Sequence, residues 1–237
     1  MTVSFALAEA SGVLARTRRA RLMIHWAETP EEERWLEHAS GPLSGLLPTP
    51  PRRRGLELLE RARLLGPRTL LVHGNAASSD EIARVVRSGA ALVHCPGTHA
   101  FFGRPRFALA EWTRAGARLA LGTDSLASNG ALDMRSEIAQ LLRAQPRLHP
   151  REAWLLATRG GASALGLAGR VGELREGAWA DFFVVEAPAR AADIWEPLVC
   201  PDAPIRSVWI GGHPLVSGSE SHGKRARKLN FGRRSPQ

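Results

Sequence analysis

Four short apolar runs, each closing on an ionisable side chain, constrain this chain more than any other feature. LMIH ends at His25, TLLVH at His73, ALVH at His94 and RLALGTD at Asp124. Between and after them stand GLELLERARLLG, SSDEIARVVRSG and FALAEWTRAG, apolar at helical spacing, the second with a serine placed to cap it. Runs that are apolar on every residue belong to strands buried on both faces, and regular strand–helix alternation makes their sheet parallel. The fold class is therefore α/β, a parallel sheet covered on both faces or closed into a β/α barrel.

The flanking segments complete the outline. Residues 5–20 read as an amphipathic helix, residues 31–38 as a short helix, and residues 40–51, with prolines at 42, 48, 50 and 51, as a loop. Two further helices are expected around Met134–Leu142 and Pro150–Leu165. After Leu167 the texture changes to glycines and β-branched residues in GRVGELREGAWADFFVVEA and IRSVWIGGHPLV, the pattern of a small antiparallel appendage. The expected division is a partial barrel over residues 1–168, part of a small β-sandwich over 169–217 and a basic, disordered tail over 218–237.

Residues 223–237 of that tail carry six of the chain's nine net positive charges, so the rest is only mildly basic. Arginine outnumbers lysine 30 to 2 and tyrosine is absent, and aromatics do not alternate with the basic residues, Phe231 being the single aromatic in the tail. Nucleic acid is therefore not the expected partner. Two cysteines, Cys95 and Cys200, are too few for a disulfide framework or a four-thiolate zinc site, so a metal here needs nitrogen and oxygen ligands. No apolar run reaches the roughly 18–20 residues of a membrane span, and the arginines near the start follow the apolar stretch instead of preceding it. The expected compartment is the cytoplasm.

In a β/α barrel the C-terminal strand ends ring the active site, so ionisable residues at that level converge although far apart in sequence. One histidine at a strand end is ordinarily a hydrogen-bonded core residue. Four ionisable strand ends together point to a site. Imidazole with carboxylate suits zinc or iron, and a bound metal brings the pKa of water from 15.7 to about 7. Glu28, three residues past His25, is placed to carry protons there. Asp124 can serve as ligand and base, Ser125 and Asn129 can fix a loop or the substrate, and His99, in HCPGTHAFFG, is expected on the loop after a strand. Phe101 and Phe102 read first as residues packed on a neighbouring helix.

HWAET at 25–29, LVHGN at 71–75, HCPGTHAFFG at 94–103 and LGTDSLASN at 121–129 resemble the second half of a metal-dependent amidohydrolase, in the branch of aminohydrolases and chlorohydrolases. GELREGAWADFFVV resembles that family's return into its small β-sandwich. The resemblance implies the C-terminal half of a (β/α)8 barrel, a small heterocyclic substrate and one divalent metal, zinc in preference to iron. It implies His25, His73 and Asp124 as metal ligands, and Glu28, His73 and Asp124 as catalytic groups. His94, His99 and Ser125 would lie on the substrate side. GTHAFFG stands where nucleobase deaminases more often carry a serine and an asparagine, which leaves the heterocycle unassigned.

The family's first strand ends in an HxH pair, and no two of the eight histidines here are separated by one residue. The expected function is hydrolytic deamination at a C–N bond of an amino-heterocycle by an N-terminally truncated chain, inactive by itself for want of the HxH ligands. The alternative is a non-catalytic half-barrel or one subunit of a split enzyme. Either requires a partner, the missing half or a second copy, because four parallel strands alone leave two edges and a broad apolar face open.

Overall fold

The computed structural model describes residues 4–45, 49–187 and 193–217. Helix α1 (Phe5–Thr17) starts where the Ser4 hydroxyl accepts the Leu7 N–H at 3.2 Å. Strand β1 (Leu22–Trp26) follows, then α2 (Pro30–His38), capped by Thr29, and a 3-10 turn over Pro42–Gly45 inside the expected loop. From α3 (Gly55–Arg61) the alternation is regular: β2 (Thr69–His73), α4 (Ser79–Ser88), β3 (Ala91–His94), α5 (Pro96–Phe101), α6 (Leu109–Arg114), β4 (Arg118–Leu121) and α7 (Met134–Ala144). The expected N-cap of α4 is present as a full capping box, with Ser78 and Glu81 satisfying each other's backbone N–H groups.

The four strands form one parallel sheet in the order β1-β2-β3-β4. Its register pairs His25 with Val72 and His94 with Leu121, so side chains of alternate residues fall on one face or the other. Leu71, Leu92, Leu119 and Leu121 pack with Trp112, Ile82, Leu56 and Ile138 in the main core under the helices. Leu70, Val72, Ala91, Val93, Cys95 and Ala120 form a second cluster on the opposite face. Burying one leucine or isoleucine in such a core stabilises by about 1.5–3 kcal/mol.

The open face expected from the sequence is much reduced. Ala164 packs into the second cluster, and the apolar residues of β2, β3 and β4 on that face are buried. Exposure concentrates on β1, where Met23 is 65% accessible. One of the two edges is also covered. The expected helix over 150–165 runs as α8 (Pro150–Leu155), a π turn (Leu156–Gly160) and α9 (Gly161–Leu165). Gly160 lies so close to β4 that a Cβ there would sit 2.4 Å from the Leu119 carbonyl.

The glycine-rich remainder yields fewer strands than its texture suggests. A three-stranded antiparallel sheet contains β5 (Phe182–Val185), β6 (Ile205–Ile210) and β7 (His213–Ser217), with α10 (Trp195–Val199) between the first two. Arg135 of α7, itself buried, donates to the carbonyls of Pro197, Leu198, Cys200 and Ala203 around the end of α10. Residues 218–237, expected as a disordered tail, lie outside the described residues.

Candidate functional site

His25 is the fourth residue of β1, His73 the last of β2, and Asp124 lies three residues past β4. One ligand atom from each of the three lies within 4.8 Å of the other two. Strand alternation alone does not bring them together. His73 follows Leu71, which faces the helices, yet its ring meets His25 at 5.2 Å between centroids. The reason is backbone conformation: His73 has φ 79° and Asp124 has φ 55°. Left-handed backbone at such residues costs on the order of 1–3 kcal/mol and persists only where the surroundings enforce it.

The donor set fits a transition metal. Two imidazole nitrogens and a carboxylate oxygen suit zinc, and three atoms so spaced share a centre no more than about 2.8 Å from each, within reach of the roughly 2.0–2.2 Å bonds zinc forms. His73 is 3% exposed, and its burial, followed by the neighbouring His25 ring, pushes its pKa down to about 4. A neutral imidazole is the form that ligates. Cys95 offers no thiolate, because burial and then Asp124 push its thiol up to about 12.

The Glu28 carboxylate stands 3.8 Å from His73 Nε2 and is partly open to solvent. Its loop is fixed on both sides. The Glu28 N–H donates to Glu32 Oε2 at 3.2 Å, and its carbonyl accepts from Asn75 Nδ2 at 3.1 Å. Asn75 Oδ1 in turn lies 3.2 Å from His99 Nδ1, whose Nε2 lies 2.7 Å from the Pro105 carbonyl. Asn75 thus ties together the chain segments that follow β1, β2 and β3.

The remaining expected residues are more dispersed. His99 is buried within α5, a short helix where a loop was expected, and desolvation lowers its pKa. His94 lies on the helix side of β3, stacked on Phe107 at 3.9 Å, with its Nδ1 buried and unpartnered. Burial drives its pKa down to about 3. Ser125 is exposed, and its hydroxyl accepts the Ala127 N–H at 3.2 Å. Asn129 fixes a loop, donating to the Thr123 carbonyl at 2.8 Å. Phe101 and Phe102 are 62% and 47% exposed and meet edge to face instead of packing on a helix.

Sequence reasoning gave no role to Thr98, Ser128 and Glu137. Asp124 Oδ2 accepts from Thr98 Oγ1 at 3.1 Å and from Ser128 Oγ at 3.2 Å. Glu137, wholly buried on α7, accepts the Gly97 N–H at 2.7 Å.

A family model described as the amidohydrolase family matches residues 1–215. This chain belongs to the amidohydrolase family. Among its family relatives, the 5-methylthioadenosine/S-adenosylhomocysteine deaminase of Teredinibacter turnerae is 30% identical over 235 residues, covering 92% of this chain and 50% of its own length. The 8-oxoguanine deaminase of Pseudomonas aeruginosa is 34% identical over 178 residues, covering 73% of this chain and 37% of its own. In structure, this amidohydrolase chain matches an adenosine deaminase from Xanthomonas campestris, solved with bound zinc, at a TM-score of 0.75 and 26% identity, over 94% of this chain and 52% of the other. The chain spans half or less of the length of these two curated relatives.

Proposed function

We propose that this chain carries half of the active site of a zinc-dependent hydrolytic deaminase acting on a small amino-heterocycle. The observation that carries the reading is the convergence of His25, His73 and Asp124 donor atoms within 4.8 Å, with the Glu28 carboxylate 3.8 Å from His73. The names of the similar proteins favour amino-purines and their nucleosides as the substrate class. Zinc is preferred to iron because the donor set suits it and the Xanthomonas neighbour holds it.

When bound, the metal supplies Lewis acidity and lowers the pKa of water towards neutrality. The chain's own residues do the rest. His25, His73 and Asp124 hold the ion, and the Asp124 carboxylate accepts a proton from the attacking water. Glu28, half-open to the site, takes protons up and delivers one to the departing amine. In the net reaction the water oxygen bonds to the ring carbon, the C–N bond breaks and ammonia leaves. His73, held neutral by burial, does not repel the cation.

The test has two parts. Zinc titration of the purified chain against a competing chelator should show binding that His25→Ala and Asp124→Ala abolish. In the native protein from its source, Glu28→Gln should keep the metal and lose ammonia release from amino-purines by about 10²- to 10⁴-fold, the range of a general acid–base group. Unchanged turnover in Glu28→Gln would remove Glu28 from the proton path. Unchanged zinc affinity in Asp124→Ala would remove the proposed metal centre.

A further inference from the structure

We infer that Thr98 and Ser128 are positioning residues that orient the Asp124 carboxylate for the site, an inference that rests on the proposed role of Asp124. Both hydroxyls converge on one oxygen, Oδ2, at 3.1 and 3.2 Å, and lie 3.1 Å from each other. Thr98 is 2% exposed and Ser128 is 7% exposed, so solvent does not compete for these bonds. A carboxylate is the strongest acceptor within reach, so the hydroxyl protons point to it. Among the described residues Oδ1 accepts no hydrogen bond. The two oxygens of Asp124 are thereby made unequal: one is tied to the protein, and the other is left for the site.

The frame behind this pair is built around Glu137. Its Oε2 accepts the N–H of Gly97, the residue before Thr98. Its Oε1 accepts from the side chain of Asn129, the residue after Ser128. Asn129 also donates to the carbonyl of Thr123, the residue before Asp124, at 2.8 Å. One buried carboxylate on α7 therefore fixes a neighbour of each hydroxyl residue, and through Asn129 a neighbour of Asp124. Asp124 itself sits in left-handed backbone at φ 55°, a conformation that persists only where its surroundings enforce it. Partners that orient a metal ligand from behind are typically worth about 10- to 100-fold in metal affinity or activity.

The test is zinc titration of the full purified chain by chelator competition, with the visible spectrum of the cobalt-substituted chain as a second readout. Thr98→Val keeps shape and removes one donor, and Ser128→Ala removes the other. Each should weaken zinc affinity about 10- to 100-fold and alter the cobalt spectrum, whereas Thr98→Ser, which restores the hydroxyl, should bind as wild type. Should Thr98→Val fail to fold, Ser128→Ala decides the point alone. Wild-type affinity and spectrum in the hydroxyl variants, with binding lost in Asp124→Ala, would overturn the positioning role and leave the metal centre standing. A wild-type chain that takes up no zinc, or an Asp124→Ala chain that binds as wild type, would overturn the metal centre and this inference with it.

Discussion

At Gly97 there is no room for a side chain: a Cβ would lie 2.5 Å from both Asn129 Nδ2 and Glu137 Oε1. Both atoms belong to the frame behind Asp124, so the methyl of Gly97→Ala must push apart groups that are already hydrogen-bonded. Overpacking of this kind costs about 1–3 kcal/mol. Urea unfolding of Gly97→Ala should show that loss, and an unchanged midpoint would mean that the frame yields freely. The glycine is visible in the sequence, but its reason is not, because Asn129 and Glu137 approach it from 32 and 40 residues away. His25, His73 and Asp124 were legible because each stands at or just past the end of an apolar run. His94 obeys the same rule and lands elsewhere: it pairs with Leu121, whose side chain belongs to the core under the helices. Strand-end position identifies a residue's level in the barrel, and alternation decides its face. Thr98 and Ser128 gave no signal, since a hydroxyl acquires a role only from the acceptor that the fold brings to it.

Elements were more legible than residues, and their ends less so than their existence. The expected helix over 55–66 stops at Arg61, with Arg63 in left-handed backbone at φ 54°, and the helix over 150–165 carries a π turn where Gly160 meets β4. Neither interruption has a proline to announce it. Between α2, α3 and α4 lies a charge cluster that periodicity also conceals. Arg54, just before α3, makes two hydrogen bonds to Glu81 at 2.9 and 2.7 Å and lies 3.6 Å from Glu33 and 3.5 Å from Glu37. Glu33 is 4% exposed, with Oε2 accepting the Gly55 N–H at 3.1 Å and Oε1 unpartnered. Burial raises its pKa from 4.5 to about 7, against the pull of the Gly55 bond and Arg54 and with Glu81 and Glu32 adding to the rise. The folded chain thus holds a proton there that the unfolded chain releases at lower pH. This group's contribution is full below about pH 4.5 and is lost as pH rises towards 7. Glu33→Gln removes the titration. Between pH 5 and pH 8, urea unfolding should show wild type losing more stability than Glu33→Gln, by on the order of 2–3 kcal/mol at most. Parallel pH profiles for the two proteins would place the proton elsewhere.

Across the whole molecule the two sheet edges differ in kind. The β4 edge is covered by the π turn and α9, with Arg118 donating to the Ser163 carbonyl at 2.7 Å. The β1 edge pairs with no further strand among the described residues and borders a cavity of about 420 Å³, whose lining includes Ala8, Met23, His25, Glu28 and Glu33. The α/β class and the antiparallel remainder were legible from texture, and the family from its strand-end motifs. Which edge stays open was not, because closure of the β4 edge depends on a glycine in a helix that reads as continuous. An open parallel edge offers unpaired backbone groups, and Leu7, Val13 and Leu14 on α1 add exposed apolar surface at 54%, 56% and 59% accessibility. The isolated chain should therefore self-associate: light scattering should give a mass above 25.7 kDa that rises with concentration. Met23→Lys places a charge on the open strand without touching the main core, and should shift the population towards the single-chain mass. A wild-type chain that stays at 25.7 kDa throughout would show that the β1 edge is already satisfied within one molecule. An associating chain indifferent to Met23→Lys would move the contact to the outer face of α1.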